Sequence, residues 1–199
     1  NLPSARTIGN LAFTSCGALK EVSLPECTSI GDSAFISCFE METIYAPKVT
    51  TIGSYAFQGC ASALKTLTLG AVTSVNHSLY GIFYGNNEND MEKIDLFLSC
   101  EQKAMTYNSS TKYWIATGEA FDFGSTNEFI GYTFKSVTLA HTKDTLVQVD
   151  AKAPTCTEIG YDAYEYCTVC DYTTYEEKEA LDHDWSNKDG ICERENCGY

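Results

Sequence analysis

Along the first half of the chain, apolar and polar positions recur in matching blocks rather than in a helical or strictly alternating period. Residues 30–47 read IGDSAFISCFEMETIYAP, residues 8–25 read IGNLAFTSCGALKEVSLP and residues 52–70 read IGSYAFQGCASALKTLTLG. The block starts Ile8, Ile30 and Ile52 lie 22 residues apart. A fixed period in the twenties predicts a solenoid, because one such block cannot bury its apolar face alone and must stack on the next.

The columns of the alignment say what stacks on what. Each block opens on an aliphatic residue (Ile8, Ile30, Ile52, then Val75), with Gly after it in the first three. Ala12-Phe13, Ala34-Phe35 and Ala56-Phe57 follow, and Cys16, Cys38 and Cys60 stand three residues beyond each Phe. Then comes an apolar triplet: Leu19-Val22-Leu24, Met41-Ile44-Ala46, Leu64-Leu67-Leu69, Met91-Ile94-Leu96 and Phe134-Val137-Leu139. The spacing i, i+3, i+5 fits the short strand of a leucine-rich repeat, which turns its apolar side chains to the core from one side of each coil.

Residues between the apolar strand positions face outward, and stacking sets them in rows. One predicted row is Ser23, Tyr45, Thr68, Asp95 and Thr138; the adjacent one is Glu21, Thr43, Thr66, Lys93 and Ser136. Five strands about 4.8 Å apart span roughly 20 Å, enough for part of a protein surface or a short glycan. Tyr45 is the aromatic of the first row, and aromatics anchor interfaces disproportionately. Solvated β-formers would give the same rows with no ligand.

The I-G-x-x-A-F-x-x-C units, together with Leu24-Pro25 and Ala46-Pro47 after the strands, resemble the BspA-like leucine-rich repeat proteins of bacterial surfaces. The resemblance covers residues 1 to about 100 and returns at 130–140. It implies a short curved solenoid that binds an extracellular protein or glycan in adhesion or recognition, without catalytic residues, at the cell surface or secreted. An accessory targeting or spacer module of a larger secreted enzyme is the alternative. Leu2-Pro3 precedes Ile8 as Leu24-Pro25 precedes Ile30, so the chain opens within a repeat and is expected to be N-terminally truncated, its export signal lying upstream.

Three stacked thiols cannot all pair, so Cys16, Cys38 and Cys60 are read as buried free thiols that pack and contact turn backbone, with Asn86 in the corresponding place of the fourth unit. From Val75 the pattern loosens, with an insertion of about three residues before Phe83. The polar tip at 86–90 lacks EF-hand ligand spacing and reads as a solvated loop. Residues 98–140 are expected to close the solenoid with a helix-and-loop cap, since its end exposes apolar surface and strand edges. Glu101, Gln102, Lys103, Ala104 and Met105 favour the helix, Asn108-Ser109-Ser110 breaks it, and Trp114 and Ile115 pack over the last coil. The terminal strand at 134–139 ends the domain, residues 1–140.

Composition changes at His141. Residues 141–199 hold five Cys, two His and 14 acidic against 5 basic residues, a net −9. So short a segment needs staples, and the sequence predicts a small cysteine-rich β module. Cys167-x2-Cys170 and Cys192-x4-Cys197, about twenty residues apart, approach the two-pair arrangement of a zinc ribbon, with the four thiolates around one structural zinc. Cys156 is a spare, a substitute ligand or a disulfide partner. His183 reads as a half-packed imidazole beside Trp185, with ligation as its alternative, and His141 has no evident partner. The stretch before Pro154 reads as a strand or an extended linker.

The segments 154–161, 166–172, 180–185 and 189–199 resemble a small cysteine-rich repeat appended to secreted and surface proteins of anaerobic Gram-positive bacteria. That resemblance implies an exported spacer or attachment module. Disulfides are the rival staple in an oxidising compartment, and an anaerobic habitat weakens that case.

The charge of −14 argues against nucleic acid and anionic membrane surfaces, which need a basic footprint. Zinc-protease, phosphate-loop, dinucleotide and serine-hydrolase motifs are missing from the sequence, and His77, His141 and His183 are scattered. The reading is therefore a non-catalytic protein, with no apolar run approaching the roughly 18 residues of a membrane span.

Overall fold

A computed structural model describes every residue except 78–80, 86–87, 122–126, 142–143, 185, 187–191, 193, 195–196 and 198–199. Asn86, Trp185 and parts of the polar tip and of the loop before residue 127 thus lie outside the described residues. The chain forms two units, Asn1–Ala140 and His141–Tyr199.

The first unit runs β1 (Thr7–Ile8), β2 (Glu21–Ser23), β3 (Ser29–Ile30), β4 (Thr43–Ala46), β5 (Thr51–Ile52), β6 (Thr66–Leu69), β7 (Ser74–Asn76), a helical turn α1 (Glu88–Met91), β8 (Asp95–Ser99), β9 (Lys103–Asn108), β10 (Tyr113–Ala120), β11 (Glu128–Phe129), β12 (Tyr132–Thr133) and β13 (Ser136–Ala140). Two sheets line its flanks. One is parallel throughout, in the order β13-β8-β6-β4-β2; the other begins β1-β3-β5-β7 in parallel and ends in the hairpin β10-β9.

Between the sheets runs one apolar interior built column by column. Val22, Ile44, Leu67, Leu96 and Val137 pair across the strands and are all buried. The phenyl rings of Phe13, Phe35, Phe57 and Phe83 lie one above another, with centroids 5.2, 6.0 and 5.5 Å apart. Phe35 and Phe57 are completely enclosed, each burial contributing about 1.5–3 kcal/mol.

Between its two strands each coil turns in a way that also bonds to the next coil. Leu11, Phe13 and Ser15 donate N–H to the carbonyls of Asp32, Ala34 and Ile36 at 2.9, 2.8 and 2.8 Å, and Ser33, Phe35 and Ser37 repeat this to Ser54, Ala56 and Gln58. Leu11, Ser15, Ser33, Ser37 and Tyr55 take left-handed φ values of 54–61°, which cost about 1–2 kcal/mol each. The intercoil hydrogen bonds offset that cost.

The Gly after Ile30 and the Gly after Ile52 have a steric origin. A Cβ on Gly31 would meet Asn10 Oδ1 at 2.4 Å, and one on Gly53 would meet the Asp32 nitrogen at 2.4 Å. Asn10 Oδ1 accepts the Asp32 N–H (2.9 Å), and Asp32 Oδ1 accepts that of Ser54 (2.7 Å). Glycine leaves room for this side-chain ladder.

The closing segment departs from the helix expected at 101–105. Lys103–Asn108 is a strand, and Trp114 of β10 pairs with Val75 on the free edge of β7. Covering an open edge satisfies a row of backbone groups, which outweighs helix propensities of a few tenths of a kcal/mol per residue. The break expected at Asn108 becomes the hairpin turn, with Asn108 Oδ1 accepting the N–H groups of Ser110 and Thr111. Trp114 is partly buried on the core, whereas Ile115 is exposed. Gln102 completes the cap: its buried amide accepts the Val72 N–H (2.7 Å) and donates to the Val72 carbonyl (3.0 Å), supplying the partners a further coil would offer.

In the second unit β14 (Leu146–Val149) pairs with β16 (Tyr164–Cys167), and β15 (Gly160–Tyr161) with β17 (Glu177–Lys178), all antiparallel. The stretch before Pro154 thus contains a strand.

Candidate binding face and cysteine–histidine clusters

The parallel five-stranded sheet presents two outward rows. The first is Glu21, Thr43, Thr66, Asp95 and Ser136; the second is Ser23, Tyr45, Thr68, Phe97 and Thr138. This corrects the expected register at the fourth strand, where Asp95 was placed beside Thr68 and Lys93 beside Thr66. Leu96, not Ile94, pairs with Leu67, because the loosened fourth coil reaches its strand with a different spacing after Met91. Phe97 therefore joins Tyr45 in one row, and Lys93 lies before the strand, ion-paired with Asp90.

The sheet's charges are largely engaged by neighbours one coil away. Asp95 accepts Lys135 Nζ at 2.8 Å and Ser136 Oγ at 2.6 Å, and these two hydrogen bonds hold its carboxyl below the usual range. Glu42 is ion-paired with Lys65. Tyr45, second of the five positions in its row, remains 45% exposed. On the opposite sheet a groove is lined by Asn10, Gly31, Asp32, Gly53, Asn76 and Tyr113 among others, but its Asn10 and Asp32 oxygens are occupied by the coil-to-coil ladder.

Of the three column thiols expected to be buried, Cys38 and Cys60 are, whereas Cys16 in the first coil is exposed because no coil of this chain stacks on that side of it. Cys38 Sγ donates to the Phe13 carbonyl at 3.2 Å and Cys60 Sγ to the Phe35 carbonyl at 3.1 Å. Burial pushes the Cys60 thiol up to about 12. Such a thiol is poorly nucleophilic.

The tail cysteines are arranged differently from the single four-thiolate centre expected. Cys167 and Cys170 gather with His141, whereas Cys192 and Cys197 gather with Cys156 and His183; in each group the ligand atoms lie within 4.8 Å of one another. The antiparallel pairing of β14 with β16 anchors Cys167 opposite Leu146, only a few residues from His141. Cys170 Sγ stands 3.9 Å from His141 Nδ1, and the His141 ring stacks on Tyr172 at 4.4 Å. In the other cluster Cys156 and Cys192 Sγ atoms are 3.6 Å apart, His183 Nδ1 is 3.2 Å from Cys197 Sγ, and the Asp184 N–H points at Cys192 Sγ at 3.3 Å. Both clusters can hold a metal ion.

Their thiols are not equivalent. Burial raises Cys192, but N–H groups of Arg194 and Asp184 and the side chains of His183 and Cys197 outweigh it and bring the thiol to about 6. Burial and the neighbouring Cys197 and Cys192 push Cys156 up to about 12. His141 was missed as a partner in the sequence, yet a signal was present. Leu139-Ala140-His141 and Leu181-Asp182-His183 share the form L-x-H, and each is followed by its own closely spaced Cys pair.

The chain matches the BspA type leucine rich repeat region in six copies, over residues 1–111 and 28–171. With repeats, stacked columns and flanking parallel sheets in place, the chain belongs to this leucine-rich repeat family. No curated protein and no solved structure matches it. No helix among the described residues is long and apolar enough to cross a membrane.

Proposed function

We propose that the chain is a non-catalytic recognition or adhesion module of a bacterial surface or secreted protein, binding an extracellular protein or glycan through the β2-β4-β6-β8-β13 face. The observation that carries this reading is the outward row Ser23, Tyr45, Thr68, Phe97 and Thr138, two aromatics set among small hydroxyl residues on a rigid parallel sheet. Family membership supports an interaction role, and the acidic charge turns the search away from nucleic acid and anionic lipid. In this reading the second unit is a zinc-stapled spacer or attachment module.

The full chain is to be screened against glycan and matrix-protein arrays, and hits measured with Tyr45→Ala and Thr68→Lys. Loss of about tenfold or more in affinity is the expected result for an aromatic anchor. Unchanged affinity in both variants would remove the strand face from the reading.

A second reading, a targeting module of a larger secreted enzyme, is favoured by a tyrosine patch on the second unit. Tyr161, Tyr164, Tyr166 and Tyr175 stand with ring centroids 5.1–6.4 Å apart, and Tyr166 and Tyr175 are both 38% exposed. Binding that survives Tyr45→Ala but fails in Tyr175→Ala would support it.

A further inference from the structure

The zinc-stapled reading of the second unit does not by itself say which donors take an ion. Resting on that reading, we propose that Cys156, His183, Cys192 and Cys197 form one complete structural zinc site, with Cys167 and Cys170 belonging to a separate cluster with His141.

Distances carry the first step. Zn–S bonds of about 2.3 Å and Zn–N bonds of about 2.0–2.1 Å on a tetrahedron set donor atoms roughly 3.3–3.8 Å apart. Cys156 and Cys192 Sγ stand 3.6 Å apart and His183 Nδ1 and Cys197 Sγ 3.2 Å apart. A disulfide would need about 2.05 Å between its sulfurs. The Cys156–Cys192 separation matches a tetrahedral edge and the His183–Cys197 one is slightly shorter, and all four donor atoms lie within 4.8 Å of one another, as one shared ion would require.

Burial carries the second. Among the described residues of 141–199, the buried hydrophobic ones are Cys156, Cys167 and Cys192. The interior of this unit is made of its ligand atoms, and a core of bare thiols has little apolar area to stabilise it. The Asp184 N–H directed at Cys192 Sγ is the backbone support a metal-bound thiolate takes.

Sequence order carries the third. In both clusters an L-x-H histidine precedes its Cys pair, His141 before Cys167 and Cys170, His183 before Cys192 and Cys197. Each pair goes with its own histidine rather than with the other pair. Three thiolates and one neutral imidazole fill a tetrahedral zinc completely, so the site leaves no position for a catalytic water.

The test uses the full chain purified under reducing conditions, with zinc content and the Co²⁺-substituted absorption spectrum as readouts. Cys156→Ser, His183→Ala and Cys192→Ser should each lose the same one equivalent of metal, and Cys167→Ser should keep it. His183→Cys should retain that equivalent while its Co²⁺ bands move from a three-sulfur to a four-sulfur pattern, a result that misfolding cannot mimic. Zinc retained in Cys156→Ser and His183→Ala but lost alike in Cys167→Ser and Cys192→Ser would restore the four-cysteine ribbon and overturn this assignment. Absence of metal from a parallel preparation of the parent chain made without reductant, with its thiols blocked to alkylation until reduced, would overturn the zinc reading itself.

Discussion

The solenoid and the C-terminal unit exclude water from a chain interior by opposite means. In residues 1–140 the interior is a set of columns, in which Val22, Ile44, Leu67, Leu96 and Val137, or the four stacked phenylalanines, each repeat one small contribution. Among the described residues of 141–199, Tyr166, Tyr172 and Tyr175 are exposed, and the buried side chains are those of Cys156, Cys167 and Cys192. Stability in the first is distributed over nearest-neighbour interfaces; in the second, on the zinc reading proposed above, it rests on a few donor atoms. Cysteine itself changes role across the boundary, from a donor to a turn carbonyl at Cys38 and Cys60 to a member of a ligand cluster at Cys192.

The largest expected contrast comes from truncating one aromatic in each region. Phe35→Ala removes a fully enclosed ring stacked on both sides and should destabilise the solenoid by about 3–5 kcal/mol. Tyr175→Ala removes a ring that is 38% exposed and should cost about 1 kcal/mol or less. Urea unfolding of the full chain, followed by hydrogen exchange at amides in each region, measures both. Equal costs would break the contrast between a column core and a ligand core.

The same contrast governs how much could be read in the sequence. The columns were legible because a 22-residue period is itself geometry: Ile8, Ile30 and Ile52 pair one above the other as their spacing required. The strand rows were legible only while that period held, so Asp95 and Lys93 were misplaced where the fourth coil changes length. The cap was misread because local preference at 101–105 favours a helix, whereas the free edge of β7 and the Val72 backbone groups that Gln102 satisfies are facts of tertiary structure. For the tail, spacing alone showed that cysteines pair up but not which histidine accompanies each pair. That information lay in the repeated L-x-H, a signal of three residues easily lost beside the cysteines.

A smaller effect distinguishes the first coil from those stacked on it. Gly53→Ala forces a Cβ to within 2.4 Å of the Asp32 nitrogen, whereas a Cβ on Gly9 meets nothing within 4 Å. The backbone cannot move aside as a flexible side chain would, so Gly53→Ala should cost about 1–3 kcal/mol. Gly9→Ala should be neutral to slightly stabilising, by up to about 1 kcal/mol, through reduced freedom of the unfolded chain. Thermal unfolding of the two variants side by side tests whether the glycine column exists for stacking. A comparable loss in Gly9→Ala would instead assign the column to backbone conformation within each coil.

The smallest effect separates the column thiols from ordinary ones by pH. Cys60 is completely enclosed and its thiol is pushed up to about 12, with burial the leading cause and the adjacent Cys38 adding to it, against a usual value of 9.0. In the unfolded chain this thiol ionises near its ordinary value, while in the folded solenoid it stays protonated. Between pH 9 and 12 the folded state therefore binds more protons than the unfolded one, and stability must fall as pH rises. Below pH 9 the contribution is fully present. The limiting slope for one such group is about 1.4 kcal/mol per pH unit. Cys60→Ala should lower stability near neutrality by about 1 kcal/mol, through loss of the bond to the Phe35 carbonyl, and should flatten the decline between pH 9 and 10.5. Urea midpoints for parent and variant across that interval decide it: parallel curves would mean that Cys60 ionises in the fold as readily as in water, and that the thiol column is open to solvent.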